Sequence, residues 1–240
     1  MLSKVLIYGG SSGIGWASAQ LLHQQGYQLH LVARDEARLQ AKAAEIGASY
    51  TVGDVMDDET FARVADETSG QLAGLVYSVG SIRLAPLARL TRQQMLDDFS
   101  LNALGAALAV QASLPSLKMA TGTASVVLFS SVAASSGFNM HSSIGMAKSA
   151  VNGLMLSLAA ELAPVVRVNA IAPSLTATPL AEPLLTNEKM AESLAKMHPM
   201  KRLGTSDDIA KMVAYLISQD SSWITGQCFA VDGGRSTLCV

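Results

Sequence analysis

The run Gly9-Gly10-Ser11-Ser12-Gly13-Ile14-Gly15 places three glycines in a G-x-x-x-G-x-G spacing, a pattern suited to phosphate chemistry. It follows a short apolar run, Lys4-Tyr8, and opens a stretch carrying Ala17, Ala19, Leu21 and Leu22 at helical spacing. In a strand, turn and helix of this kind, Gly9 permits the tight turn and Gly13 lets backbone amides approach a pyrophosphate. Gly15 lets helix and strand pack closely. The start of the helix adds unpaired N–H groups and the positive end of its dipole, so Ser11, Ser12 and Ile14 complete the predicted cradle. Glycines also serve ordinary turns; the order strand, turn, helix is what makes this triplet a dinucleotide signal.

The second strand candidate ends Leu31-Val32-Ala33-Arg34. An NAD-selective site places a carboxylate there, on the ribose 2′-hydroxyl. Ala33 repels nothing and Arg34 offers a permanently charged planar fork, which predicts a 2′-phosphate and hence NADP(H). The plainer reading makes Arg34 a solvated residue leading into the next helix, as Arg38 is taken to be.

These residues need a scaffold. Strand candidates at Lys4-Tyr8, Gln28-Val32, Ser49-Val52, Leu72-Tyr77, Ser125-Phe129, Arg167-Ile171 and Gln227-Val231 alternate with helix candidates of crossover length. Strands apolar on both faces predict an α/β fold: a Rossmann-type doubly wound parallel sheet of about seven strands with helices on both faces. At 240 residues, half of them hydrophobic, the chain is read as a single NADP(H)-binding domain over 1–240. The stretch Pro173 to Pro199 holds four prolines and is expected to form a substrate loop with a short helix, about 173–200, over the carboxyl edge of the sheet. Seventeen Lys and Arg against nineteen Asp and Glu give a net charge of -2 with no basic stripe, so no nucleic-acid partner is expected. Met1-Leu2-Ser3-Lys4 leads into only four apolar residues, too few for a signal peptide or a membrane span. A cytoplasmic protein without a membrane partner is expected. Cys228 and Cys239 have no metal-ligand spacing, and no metal is predicted.

The glycine turn, with Tyr8 where threonine is usual, resembles that of the short-chain dehydrogenase/reductase family. So do Asn169-Ala170 with Pro173, Lys201-Arg202-Leu203-Gly204, Ile224-Thr225-Gly226 and Val231-Asp232-Gly233-Gly234, so the resemblance runs from Lys4 to about Gly234. It implies adenine contacts from Asp54 and Val55, although Asp54 can equally cap a helix. It also implies cofactor contacts near Ser78 and Gly80, where Tyr77-Ser78-Val79-Gly80 replaces Asn-Asn-Ala-Gly, and at Pro173 and Thr178.

The resemblance further implies a catalytic set of Asn102, Ser131 and Lys148. Serine holds the substrate carbonyl, lysine binds the ribose and asparagine supports a water leading to the lysine. The family's tyrosine belongs four residues before Lys148, and that residue is Ile144. His141, one turn earlier, is the candidate substitute proton donor; the alternatives are water as the donor and His141 as a helix-start residue. Ser142 and Ser143 are read as helix caps.

Two functions follow. One is an NADP(H)-dependent oxidoreductase acting between the nicotinamide and a carbonyl or alcohol, with an atypical active site. The other is a catalytically silent NADP(H)-binding sensor, scaffold or oligomer subunit. Ala133, Ala134, Phe138, Leu180, Leu184, Leu185 and Met197 either line an apolar pocket under the substrate loop, which suggests an apolar substrate, or pack the core. The resemblance implies a homotetramer or homodimer, with Gly105, Ala106, Ala107, Ala147, Ala150 and Gly153 permitting close approach of symmetry mates or, equally, packing on the sheet.

Overall fold

The computed structural model describes residues 3–239; Met1 and Leu2 of the N-terminal stretch and Val240 at the end of the expected domain lie outside the described residues. Its strands are β1 (Lys4–Tyr8), β2 (Gln28–Ala33), β3 (Ser49–Val52), β4 (Gly74–Tyr77), β5 (Ala124–Phe129), β6 (Val166–Pro173), β7 (Thr176–Ala177), β8 (Gly204–Thr205) and β9 (Cys228–Val231). Its helices are α1 (Gly13–Gln24), α2 (Glu36–Ile46), α3 (Asp58–Glu67), α4 (Arg92–Phe99), α5 (Gly105–Lys118), α6 (Ser142–Leu162), α7 (Glu182–Leu185), α8 (Glu188–Lys196) and α9 (Ser206–Ile217).

Seven strands form one sheet in the order β3-β2-β1-β4-β5-β6-β9, and every neighbouring pair is parallel. This is the doubly wound arrangement expected from strands apolar on both faces. Successive side chains of a strand point to opposite faces. Leu6 and Tyr8 therefore enter the core under α3, α5 and α6, with Phe61, Val64, Ala109, Val151 and Met155. Val5 and Ile7 enter the opposite core under α1, α2 and α9, with Leu22, Leu39, Ile209 and Val213. Both faces are covered, so the fully buried runs of β1 and β5 need no polar alternation.

Two regions differ from expectation. The long helical stretch 93–118 is α4, a π-turn over Ser100–Leu104, and α5 in direct succession. The region 173–200 is more ordered than a loop with one helix: it holds β7, α7 and α8. Its start is tied down by pairing of β7 with β8, and its end by a 2.8 Å hydrogen bond between Ser174 Oγ and Nε2 of the buried His198.

Candidate active site

The order in which strands are added reverses between β1 and β4, and the connections leaving their carboxyl ends run to opposite sides, which opens a crevice there, the usual ligand position in open α/β sheets. A cleft of about 630 Å³ lies there. Gly9, Ser11, Ser12, Gly13 and Ile14 line it from β1 and α1, Arg34 from the end of β2, Asp54 and Val55 from beyond β3, and Ser78 and Gly80 from beyond β4. Thr178 closes it from the region after β6. Pro173 ends β6 beside Val231 and is outside this lining.

The glycines hold distinct positions. Gly9 and Gly13 have φ of 77° and 52°, in the left-handed region that favours glycine. A β-carbon on Gly15 would stand 2.2 Å from the Gly9 carbonyl oxygen, so Gly15 sets the contact of α1 with the turn and is not part of the lining. Helices α2, α3, α8 and α9 have their starts capped by the side chains of Asp35, Asp57, Asn187 and Thr205. Helix α1 does not: Ser12 makes no cap bond and no acidic residue lies in the first turn. Its first N–H groups face the cleft with a serine hydroxyl beside them, which fits a diphosphate.

At the far end Arg34 is three-quarters exposed and lies 3.5 Å from Asp54. Arg38, expected to be merely solvated, also lines the cleft, because the first turn of α2 folds back over the end of β2. Its guanidinium pairs with Asp35 at 3.1 Å. Asp54 accepts from the Met56 amide and does not cap α3, which Asp57 does. Ser78 lines the cleft, yet its hydroxyl donates to the Tyr8 carbonyl at 2.8 Å and so serves the β1–β4 junction.

Gly80 joins this cleft to a second cluster. A β-carbon there would lie 3.0 Å from Asn102 Oδ1 and 3.3 Å from Lys148 Nζ. Lys148 on α6 is buried, not solvent-facing, and donates to the Phe129 carbonyl at 2.8 Å. Burial pulls its ammonium down to about 8. Asn102 sits in the π-turn; its Nδ2 donates to the Asp98 carbonyl at 2.7 Å, and its buried Oδ1 has no partner.

Ser130 turns inward, donating to the Lys148 carbonyl, while Ser131 caps a 3₁₀ turn by accepting from the Ala133 amide at 3.1 Å. That acceptance leaves the Ser131 hydroxyl hydrogen free to donate. His141 is the residue before α6, one turn from Ile144. Its Nδ1 lies 2.7 Å from the Asn139 carbonyl and so donates to it, which leaves Nε2 as the ring nitrogen open to another partner. Ile144 is buried in α6. Ser143 is not a cap: its hydroxyl donates to Asp98 Oδ2 at 2.6 Å.

Other expected groupings separate in space. Leu180 lines the dinucleotide cleft, whereas Met197 lines a cavity of about 390 Å³ with Lys196, Lys201 and Arg235. Phe138 carries the Arg235 guanidinium on one side and the His141 ring on another, at 5.4 Å each. Gly105 serves an internal contact, since a β-carbon there would meet the Tyr77 hydroxyl at 2.3 Å; Ala106 and Ala147 are buried within the chain, and Gly153 borders open space.

A family profile described as Enoyl-(Acyl carrier protein) reductase matches residues 9–236. A tropinone reductase homologue of Arabidopsis thaliana is 35% identical over 241 residues, covering 96% of this chain and 92% of the relative. The chain belongs to the short-chain dehydrogenase/reductase family. Among solved members, a short-chain type dehydrogenase/reductase from Mycobacterium ulcerans superposes with a TM-score of 0.91 at 30% identity, over 98% of this chain and 90% of that one. ElxO with NADP bound gives 0.91 at 28% identity, over 99% of this chain and 100% of that one. The family is one of oxidoreductases that use nicotinamide cofactors. Among the described residues no helix is long and apolar enough to cross a membrane.

Proposed function

We propose that this family member is an NADP(H)-dependent oxidoreductase acting on a carbonyl or alcohol, with an active site that works without the usual tyrosine. The observation that carries the reading is the placement of Gly80. It lines the dinucleotide cleft, and the buried Lys148 ammonium abuts the space its missing side chain leaves. A cation there suits ribose hydroxyls at the end of a diphosphate seated on α1. When bound, the nicotinamide supplies or accepts the hydride.

The chain's own residues do the rest. Amides at the start of α1, with Ser11 and Ser12, hold the diphosphate; Arg34 and Arg38 hold the 2′-phosphate; Asp54, Val55 and Thr178 bound the pocket. The free hydroxyl hydrogen of Ser131 orients the substrate oxygen. Ile144 can pass no proton, and the five tyrosines stand at positions 8, 27, 50, 77 and 215, none on α6. The proton therefore comes from His141 or water, at a cost of about 10²- to 10⁴-fold in rate against a well-placed general acid. Substrate selection falls to the lid region about 173–200, and the partner of one chain is a second or further copies of itself.

One observation favours the second reading, a silent NADP(H) binder: Ile144 is 5% exposed and apolar at the position the family uses for the phenol. NADPH consumption over a panel of ketones, aldehydes and quinones separates the two. The enzyme reading expects turnover by the wild type that falls at least tenfold in Ser131→Ala and Lys148→Met. Turnover by Ile144→Tyr alone assigns the silent role.

A further inference from the structure

A carboxylate with 1% of its surface exposed is expensive to bury, and Asp98 on α4 is compensated by groups from two other elements. From the segment after β4, Ser81 Oγ donates to Oδ1 at 2.8 Å and Arg83 Nε approaches Oδ2 at 3.3 Å. From α6, Ser143 Oγ donates to Oδ2 at 2.6 Å. An apolar side chain would fill the α4–α6 contact without the desolvation cost, so the carboxylate calls for a reason beyond packing.

Hydrogen-bond direction supplies one. A serine hydroxyl has one hydrogen, and Asp98, an acceptor only, takes the one on Ser81. Ser81 Oγ must then accept from Asn102, and it does so from Nδ2 at 3.2 Å. The Asp98 backbone carbonyl accepts from the same Nδ2 at 2.7 Å. With both acceptors on its nitrogen side, the amide has one orientation, and Oδ1 is left buried, unpartnered and beside Gly80. Lys148 Nζ stands on the same side of Gly80 with two N–H groups to spare after its bond to Phe129. We infer that Asp98 is a positioning residue that, through Ser81, fixes the amide of Asn102 with its acceptor oxygen toward the Lys148 ammonium.

The oxygen makes no direct bond to the ammonium, and one water between them would join the two. It favours the charged lysine against the desolvation that opposes it. Among the described residues Lys148 has no ion-pair partner, and Arg83 is the charged group paired with Asp98, so the amide is the polar group left to do this. The use of that charge, to hold ribose hydroxyls, rests on the oxidoreductase reading; the coupling itself does not.

The test follows the Lys148 Cε resonance by ¹³C NMR from pH 6 to 11 in the protein without added cofactor. Wild type, Asp98→Asn, Asn102→Ala and the double variant are compared. An asparagine at 98 can donate to Ser81 and release its hydrogen toward Asn102, so Nδ2 keeps only the backbone carbonyl of residue 98 as acceptor and Oδ1 is held less firmly toward Lys148. The Lys148 midpoint should then fall by about half a unit or more in each single variant, with no further fall in the double. A midpoint unmoved in Asp98→Asn while Tm drops would reduce Asp98 to packing and overturn the proposal. An equal fall in the Asn102→Ala background would show a direct charge effect and overturn it too. If Asp98→Asn does not fold, Ser81→Ala removes the side-chain acceptor of Nδ2 while the Asp98 charge stays, and must lower the midpoint. No turnover is needed, so failure of the oxidoreductase reading appears separately, as absent NADPH binding.

Discussion

Lowering the pH should destabilise this fold through one buried histidine in β2. His30 is 1% exposed, with Nδ1 2.8 Å from Ser49 Oγ and Nε2 2.8 Å from Thr51 Oγ1. Thr51 gives its hydrogen to Glu67, so it must accept from His30 Nε2–H, which makes Nδ1 the lone-pair nitrogen facing the Ser49 hydroxyl. The network suits a neutral ring. Burial pulls His30 from 6.5 down to about 4, with Glu67 opposing the fall. The folded state therefore binds the proton less readily than the unfolded state. The stability this provides is complete above the unfolded value near 6.5 and is lost as pH falls toward the folded value near 4. At about 1.4 kcal/mol per unit, the loss is at most about 3 kcal/mol. Urea unfolding of wild type and His30→Gln at pH 7.5, 6, 5 and 4.5 reads it as a difference, which removes the contribution of the carboxylates common to both. The wild-type advantage should shrink by about 2 to 3 kcal/mol across that range at constant m. An advantage equal at pH 7.5 and 4.5 would refute the reasoning.

Gly15→Ala forces a β-carbon to 2.2 Å from the Gly9 carbonyl and should weaken NADPH binding at least tenfold, while Gly153→Ala in α6, where nothing stands within 4 Å, should leave it unchanged; titration of cofactor fluorescence compares them. Lys148→Met removes a charge that burial opposes, so it should keep or raise Tm at pH 7 while NADPH binding weakens. The wild type itself should gain stability as pH rises from about 8 through 10.5, because the folded lysine releases its proton first. Thermal melts at pH 7 and 9 check both, and a large fall in Tm for the variant at pH 7 contradicts them. Arg34→Ala and Arg38→Ala should each cost about tenfold in NADPH affinity with NADH affinity unmoved, since each removes a charge-assisted contact to the 2′-phosphate alone.

Much of this was legible in the sequence because it is local. Strands β1, β4 and β5 carry short apolar runs, the glycine turn sits between a strand and a helix, and Arg34 follows β2 directly. The order inside 173–200 was not, since α7 and α8 rest on contacts such as Ser174 with His198, 24 residues apart. Arg38 read as solvated because its place on the cleft depends on how α2 turns back over β2. Ser143 read as a cap because its true partner, Asp98, lies 45 residues away in sequence and across a helix interface. The pairing of Asn102 with Ser81 is hidden for the same reason. Sequence spacing exposes partners one turn or one strand apart, and of the buried polar network only the bond from Asn102 to the Asp98 carbonyl is of that kind.

The most direct test of the account is a pair of titrations of the wild-type protein, one with NADPH and one with NADH, followed by fluorescence. The account predicts saturable NADPH binding at least tenfold tighter than NADH, with the preference lost in the Arg34→Ala, Arg38→Ala double variant. Equal affinity for the two cofactors, or binding of neither, would contradict it.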